Sequence, residues 1–281
     1  MSRFAYVNGA YVPLTAARIS IQDRGFQFAD SIYEVWAVRG GRLYDAAEHM
    51  DRLWRSLKEL RITAPMSQAS LWVVLRETMR RNKVRDGIIY VQVSRGAANR
   101  DHVFPSPPVK PTIVVTAKNL DQRAIARRAE VGIKVITLPE TRWARRDIKS
   151  TNLLPNALAR QQAKEQGAYE AWFVDPGGFV TEGTSSNAWI VTADGVIVTR
   201  PLSNDLLHGV TRAALMRVAR ERQMRVEERA FNVEEAKAAR EAFISAASNP
   251  AVPVIAIDGV SVGDGSPGPV AKALRALYLG A

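Results

Sequence analysis

The chain has no cysteine among its 281 residues. That excludes a disulfide framework, a thiolate nucleophile and any thiolate-held metal centre. Histidine is scarce as well. His49, His102 and His208 show none of the spacings that bring imidazoles onto one ion, so no metal site is expected. Long hydrophobic runs are missing. The longest, such as Ala251 to Ile257, are strand-sized and far too short to cross a bilayer. The amino end, Met1-Ser2-Arg3 and then Phe4-Ala5-Tyr6-Val7-Asn8-Gly9, reads as strand and turn rather than as the apolar core of a signal peptide. These absences fit a cytoplasmic protein with no membrane partner. There is no Walker A loop. Gly263-Asp264-Gly265-Ser266-Pro267-Gly268 matches the GxGxxG pattern of dinucleotide sites, but the chain ends before the second strand and the acid that such a site requires. A surface turn accounts for it.

What is present is a hydrophobic fraction of 47% and a formal net charge of +11. The first suffices for one large core or two medium ones. The second comes mainly from arginine, scattered in pairs such as Arg80-Arg81, Arg127-Arg128 and Arg145-Arg146. With no long basic run and no arginine/aromatic alternation, it reads as a solvated basic surface and not as a nucleic-acid site.

Periodicity divides the chain in two. Asn8-Gly9 is a hairpin signal. Ile32 to Val38, Ile88 to Val93 and Thr112 to Ala117 read as strands, and Ala46 to Leu60 and Ser67 to Asn82 as helices. Residues 1–119 are therefore expected to form an α+β unit with an antiparallel sheet. Residues 120–127 are read as linker, within a polar stretch from Lys118 to Arg128, and 128–281 as a second domain. There, Val131 to Leu138, Ala171 to Val174, Asn187 to Val191, Ala242 to Ser245 and Val252 to Ile257 read as strands. Asn152 to Gln166, Thr211 to Arg222 and Val270 to Leu279 read as helices.

Of nine lysines, most lie in plainly polar settings, as do Lys83, Lys118 and Lys164. Lys149 differs: it follows Trp143 and Ile148 and precedes a helix. An apolar wall would favour its neutral amine, the form that Schiff-base chemistry requires. On these residues alone, a lysine snorkelling at a helix start is the favoured reading.

The surrounding motifs narrow the choice. Arg146-Asp147-Ile148-Lys149-Ser150-Thr151-Asn152 resembles the cofactor-lysine segment of the fold-type IV pyridoxal-phosphate aminotransferases. Thr181-Glu182-Gly183-Thr184-Ser185-Ser186-Asn187 resembles their second signature. Asp23-Arg24-Gly25-Phe26-Gln27-Phe28-Ala29-Asp30 and Glu48-His49-Met50-Asp51-Arg52-Leu53 resemble their first-domain motifs, and Leu207-His208-Gly209-Val210-Thr211-Arg212 their phosphate-binding turn. The segments occur in the family's order and cover nearly the whole chain. The fold implied is α+β in two domains: a smaller N-terminal α/β sandwich and a larger C-terminal domain with a β-barrel-like core.

The resemblance also implies roles. Lys149 would carry pyridoxal 5'-phosphate as a Schiff base and shuttle a proton at the substrate α-carbon. Glu182 would pair with the pyridine nitrogen and so favour the electron-sink form of the ring; it could otherwise be a loop acid capping Ser185 or Ser186. Arg52 would clamp the phosphate with its planar fork, or lie exposed on its helix. Val210 and Thr211 would meet the phosphate at a helix amino end, although the Thr211 hydroxyl could simply cap that helix. Ser186, Ala246 and Ala247 complete the cofactor set. Ala246-Ala247-Ser248 departs from the family, which often has hydroxyl residues there; a side-chain contact is lost at Ala247, and Ser245 or Ser248 would have to compensate.

Within Ser94 to His102, Arg100-x-His102 resembles the carboxylate trap of the D-amino-acid aminotransferases, which acts across a homodimer interface together with a tyrosine matching Tyr33. A solvated loop pair would look the same. The function implied is transamination between a D-amino acid and a 2-oxoacid. The alternatives are a branched-chain or (R)-selective amine transaminase of the same fold and, from another class, a non-catalytic basic ligand- or nucleic-acid-binding protein.

Overall fold

A computed structural model describes residues 3–280, and they fall into two compact units. The first comprises the residues up to Asp121 together with Ile148–Asn152. Its strands are β1 (Phe4–Val7), β2 (Ala10–Pro13), β3 (Ser31–Arg39), β4 (Arg42–Leu43), β5 (Gly87–Ser94) and β6 (Thr112–Asn119). Among the described residues they form one antiparallel sheet in the order β2-β1-β6-β5-β3-β4. Alternation along β5 puts Ile89, Val91 and Val93 inside. Two amphipathic helices cover that face. Helix α2 (Ala46–Glu59) packs on β3 with Met50, Leu53 and Leu57, and α3 (Gln68–Arg81) lies against β1 and β6, burying Leu71 and Leu75. A five-residue helix, α1 (Arg24–Phe28), precedes β3; it is too short to show a helical period in the sequence. The lysine-bearing segment belongs to this unit because it pairs with the start of β3. Tyr33 N donates to Lys149 O at 2.9 Å, Thr151 N donates to Ser31 O at 3.1 Å, and the Ser31 and Thr151 hydroxyls bond each other.

The second unit comprises Gln122–Asp147 and the chain from Leu153 onward. Its elements are α4 (Gln122–Val131), β7 (Ile133–Pro139), α5 (Leu154–Glu165), β8 (Glu170–Val174), β9 (Val180–Gly183), β10 (Asn187–Val191), β11 (Ile197–Thr199), α6 (Val210–Glu221), β12 (Val226–Glu228), α7 (Val233–Ala238), β13 (Glu241–Ala246), β14 (Asn249–Ile257), β15 (Val260–Ser261) and α8 (Pro269–Leu279). The sheet runs β12-β11-β10-β13-β14-β7-β8-β9, with β15 on β14. The end strand β9 returns against β10, so the sheet curls into a half-barrel. Both faces are apolar. Ala188 and Ile190 point into a cluster with Trp172, Val198, Phe231 and Val254, while Trp189 and Val191 point the other way, onto α6 and α8. The α+β class and the barrel-like second core thus match the expectation.

The linker reading needs correction. From Gln122 the stretch is helix α4, and it belongs to the second unit. Only Ile125 and Ala129 of this helix are buried, so its sequence is polar enough to pass for a connection.

Candidate active site

In the first unit, Lys149 is half-buried beside the buried Ile148, and its Nζ lies 4.2 Å from the centroid of the Tyr33 ring. Strand β3 thus sets Tyr33 at the lysine through side chain and backbone together. Tyr33 in turn stacks on Tyr90, whose hydroxyl donates to Gln92 at 2.8 Å. Burial, with Tyr33 close by, pushes the Tyr90 phenol up to about 12, so that ring stays neutral.

Arg52 lies on the buried side of α2. Its Nε and Nη2 fork onto the Glu34 carboxylate at 2.9 and 2.7 Å, and His49 Nδ1 meets the same carboxylate at 2.9 Å. Burial alone would push the Glu34 carboxyl up, but the Arg52 guanidinium and His49 hold it well below its ordinary 4.5. A depressed folded value contributes stability that is complete above the unfolded pKa and is lost as pH falls through the folded one. Glu34→Gln keeps the shape and removes the charge. It should cost about 1.5–3 kcal/mol at pH 7 in urea melts, and the gap to the parent should shrink as pH drops below 4.5. A gap that does not change with pH would show that the ion pair is not its source.

The trap residues Arg100 and His102 occupy an exposed loop between β5 and β6. The structure brings them together on one ring. Arg100 Cζ is 5.2 Å from the Phe28 centroid, and the His102 ring is 5.5 Å from it.

In the second unit, Glu182 lies near the end of β9 and is buried. Its Oε1 accepts from Arg142 Nη1 at 2.6 Å; its Oε2 accepts from Asn187 Nδ2 at 3.2 Å and from Leu207 N at 3.1 Å. Arg142 also forks onto Glu140 at 2.9 and 2.6 Å. Burial pushes the Glu182 carboxyl up, with Arg142 opposing. A carboxylate made more basic is a stronger acceptor for a protonated ring nitrogen, and about one of its roughly four lone-pair directions remains after these three donors.

Helix α6 begins at Gly209, where no side chain caps it, and Val210 and Thr211 are buried at its first turn. A Cβ on Gly209 would sit 2.0 Å from Asn187 Oδ1, so a side chain here would displace the Asn187 amide. Asn187 thereby fixes both Glu182 and the turn, since its Nδ2 also donates to Leu207 O at 3.0 Å. By contrast, the amino end of α8, which follows the GxGxxG match, is already capped: Glu241 accepts from Val270 N and Ala271 N. That leaves no anion site there.

Ser186 directs its hydroxyl to the buried Glu170 at 3.1 Å, and the Thr184 and Ser185 hydroxyls bond the same carboxylate. A cofactor contact at Ser186 would have to use its remaining valences. Ala246 ends β13, and Ala247 and Ser248 turn into β14, all half-buried. Ser245 is buried and accepts from Trp189 Nε1 at 2.9 Å, which leaves its O–H as the donor a phosphate contact would use. Ala247→Thr should slow cofactor loss during dialysis by up to about one to two decades, as one added hydrogen bond to a charged group provides about 1.5–3 kcal/mol. Equal or faster loss would mean that backbone N–H groups already satisfy the phosphate.

Reasoning from the sequence missed Glu34, Glu140, Arg142, Glu170 and Asn187 as supports of these groups. Asn187 at least closes a motif. Arg142 is one of thirty arginines with no local pattern to mark it.

The amino-transferase class IV family model matches residues 31–257, and the chain belongs to that family. Among curated relatives it is similar to D-alanine aminotransferase of Staphylococcus haemolyticus, 39% identical over 96% of this chain and 94% of the relative. It is also 38% identical to D-alanine aminotransferase of Bacillus licheniformis, over 94% and 92% of the two chains. Among solved structures it resembles the branched-chain amino acid aminotransferase of Escherichia coli, with a TM-score of 0.91 at 25% identity over 100% of this chain and 94% of that one. The T.th. branched-chain amino acid aminotransferase with pyridoxamine 5'-phosphate gives 0.90 at 28% over 99% and 93%. The donor set described above suits that kind of cofactor. Taken unit by unit, the first holds an amine of the kind such a cofactor's aldehyde needs, at Lys149, and the second holds a buried carboxylate at Glu182 and, separately, a helix amino end with no side-chain cap at Gly209.

Proposed function

We propose that this chain is a pyridoxal 5'-phosphate-dependent transaminase that moves an amino group between a D-amino acid, such as D-alanine, and a 2-oxoacid, such as 2-oxoglutarate. The near-full-length likeness to D-alanine aminotransferases carries the reading. The guanidinium and imidazole gathered on Phe28 supply what an acid substrate requires.

When bound, the cofactor supplies an electrophilic carbonyl and an electron sink for charge on the substrate α-carbon. Lys149 would be the residue that holds the cofactor's aldehyde carbon, and its amine would move the proton at the substrate α-carbon. Glu182, held in orientation by Arg142, Asn187 and Leu207 N, would accept a hydrogen bond from the ring nitrogen. The Val210 and Thr211 N–H groups and the Thr211 hydroxyl would hold the phosphate, with Ser186, Ala246 and Ala247 as further contacts; the resemblance assigns Arg52 of the first unit to the same group. Tyr33, Arg100 and His102 bind the substrate carboxylate. The two half-reactions run in turn, one substrate leaving before the next enters.

A homodimer follows from this reading, with Arg100 and His102 serving the partner's site. Ile21, Phe26 and Val103 of the first unit are 80%, 71% and 73% exposed, which fits a face that a second copy covers. Among the described residues no helix is long and apolar enough to cross a membrane. The cytoplasm is the proposed compartment, and neither nucleic acid nor membrane is a proposed partner.

The branched-chain reading has the solved structures on its side. A donor panel decides. The D-alanine reading expects a yellow protein that turns over D-alanine far faster than L-leucine or (R)-1-phenylethylamine. Preference for L-leucine installs the branched-chain reading; preference for the amine installs the amine transaminase; colourless, inactive protein favours a non-catalytic binder.

A further inference from the structure

We propose that Phe28 is the positioning residue of the carboxylate trap and that Arg24 fixes the loop on which the trap is carried. The proposal rests on the reading of Arg100 and His102 as the groups that hold the substrate carboxylate. Phe28 closes α1, and three polar groups surround its ring. Arg24 Cζ lies 4.8 Å from the centroid, Arg100 Cζ 5.2 Å from it, and the His102 ring 5.5 Å away at an interplanar angle of 49°. An aromatic face is negative, so it attracts guanidinium groups and orients them.

The backbone beneath is fixed separately. Arg24 is buried, and it donates through Nη1 to Asp101 O at 2.5 Å and Val103 O at 3.3 Å, and through Nη2 to His102 O at 3.4 Å. Its Nε is paired with Asp30 at 2.8 Å. One side chain therefore binds three consecutive carbonyls of an otherwise exposed loop. The platform itself is rigid, because α1 lies hard on the sheet: a Cβ on Gly25 would come within 2.8 Å of Ser94 Cβ and 3.2 Å of Ser31 Cβ. An exposed arginine and histidine ordinarily sample many rotamers, and confining them is an entropy cost that a substrate must otherwise meet on binding. The Phe28 ring removes part of that cost beforehand.

The test is a double-mutant cycle read in the single-turnover half-reaction with D-alanine. Phe28→Leu should raise the apparent dissociation constant roughly three- to thirtyfold, the range for loss of a cation–π contact. Phe28→Tyr, which keeps the ring, should stay within about twofold of the parent. Phe28→Met is a second ringless variant should the leucine fold poorly. In an Arg100→Ala background, loss of the ring should add little, because only the weaker contact with His102 remains for it to orient. If Arg100→Ala weakens D-alanine while the ringless variants do not, the role of Phe28 is overturned and the trap stands. If the ringless effect is undiminished in the Arg100→Ala background, Phe28 acts by another route and the proposal fails. If Arg100→Ala itself leaves D-alanine binding unchanged, the trap reading falls and takes this proposal with it.

Discussion

Lys149→Ala should abolish covalent attachment of the cofactor and lower transamination by at least about 10⁴-fold, since both the anchoring amine and the proton carrier are removed. The fold should tolerate the change. What ties this segment to the start of β3 is its backbone: Lys149 O accepts from Tyr33 N, and Ser31 O accepts from Thr151 N. Among the described residues, the half-buried Lys149 side chain makes no hydrogen bond or ion pair and lies over the Tyr33 ring. Melting should therefore shift by no more than a surface substitution does, about 0.5 kcal/mol. The readout independent of activity is borohydride reduction of the loaded parent protein, followed by peptide mapping. The reduced adduct should sit on Lys149 alone. An adduct on any other lysine, or an alanine variant that keeps its colour and turnover, removes Lys149 from the site.

What made Lys149 legible was not its own neighbourhood. An apolar flank before a helix is common, and only the ordered set of five motifs set this lysine apart. The fold was legible wherever one face meets water. The first sheet alternates cleanly along β5, and α2 and α3 show their apolar stripes, so their bounds fall within a residue or two of the expected ones. Short or weakly amphipathic elements were not. Helix α1 spans only five residues, and α4 buries two side chains in ten, leaving too few periodic positions to read. The site divided along a similar line. Residues that would touch the cofactor or substrate lie within motifs. The groups that hold them, such as Arg142 against Glu182 or Glu34 against Arg52, come from distant parts of the chain. Such pairings exist only once the sheets have formed, and no local spacing encodes them. Arg52 shows the consequence: the resemblance implied a phosphate contact, and nothing in its motif announced the Glu34 carboxylate that takes its Nε–Nη2 edge.

Arg100→Ala should cut kcat/KM for D-alanine by roughly one and a half to three and a half decades. Truncating one partner of a hydrogen-bonded charge pair, desolvated on binding, typically costs about 2–5 kcal/mol. In the free protein Arg100 is exposed and rests on Phe28, so its removal leaves no buried charge behind and stability should hold. The loss then reports on substrate rather than on folding. His102→Ala should do less, because a neutral imidazole gives an ordinary hydrogen bond of about 1 kcal/mol. An amine donor without a carboxylate should hardly register the arginine; equal losses for acid and amine would refute the trap. The interface has its own measurement. Lys149→Ala and Arg100→Ala subunits, each inactive or nearly so alone, are mixed, and the heterodimers are isolated by orthogonal tags. If Arg100 serves the partner's site, one of the two sites in each heterodimer combines an intact lysine with an intact trap, and activity should rise toward half that of the parent. If Arg100 serves its own subunit's site, each site lacks one residue or the other and the heterodimer stays at the level of its parents. Verified heterodimers without recovery would leave the carboxylate trap inside a single subunit and remove the functional argument for the dimer.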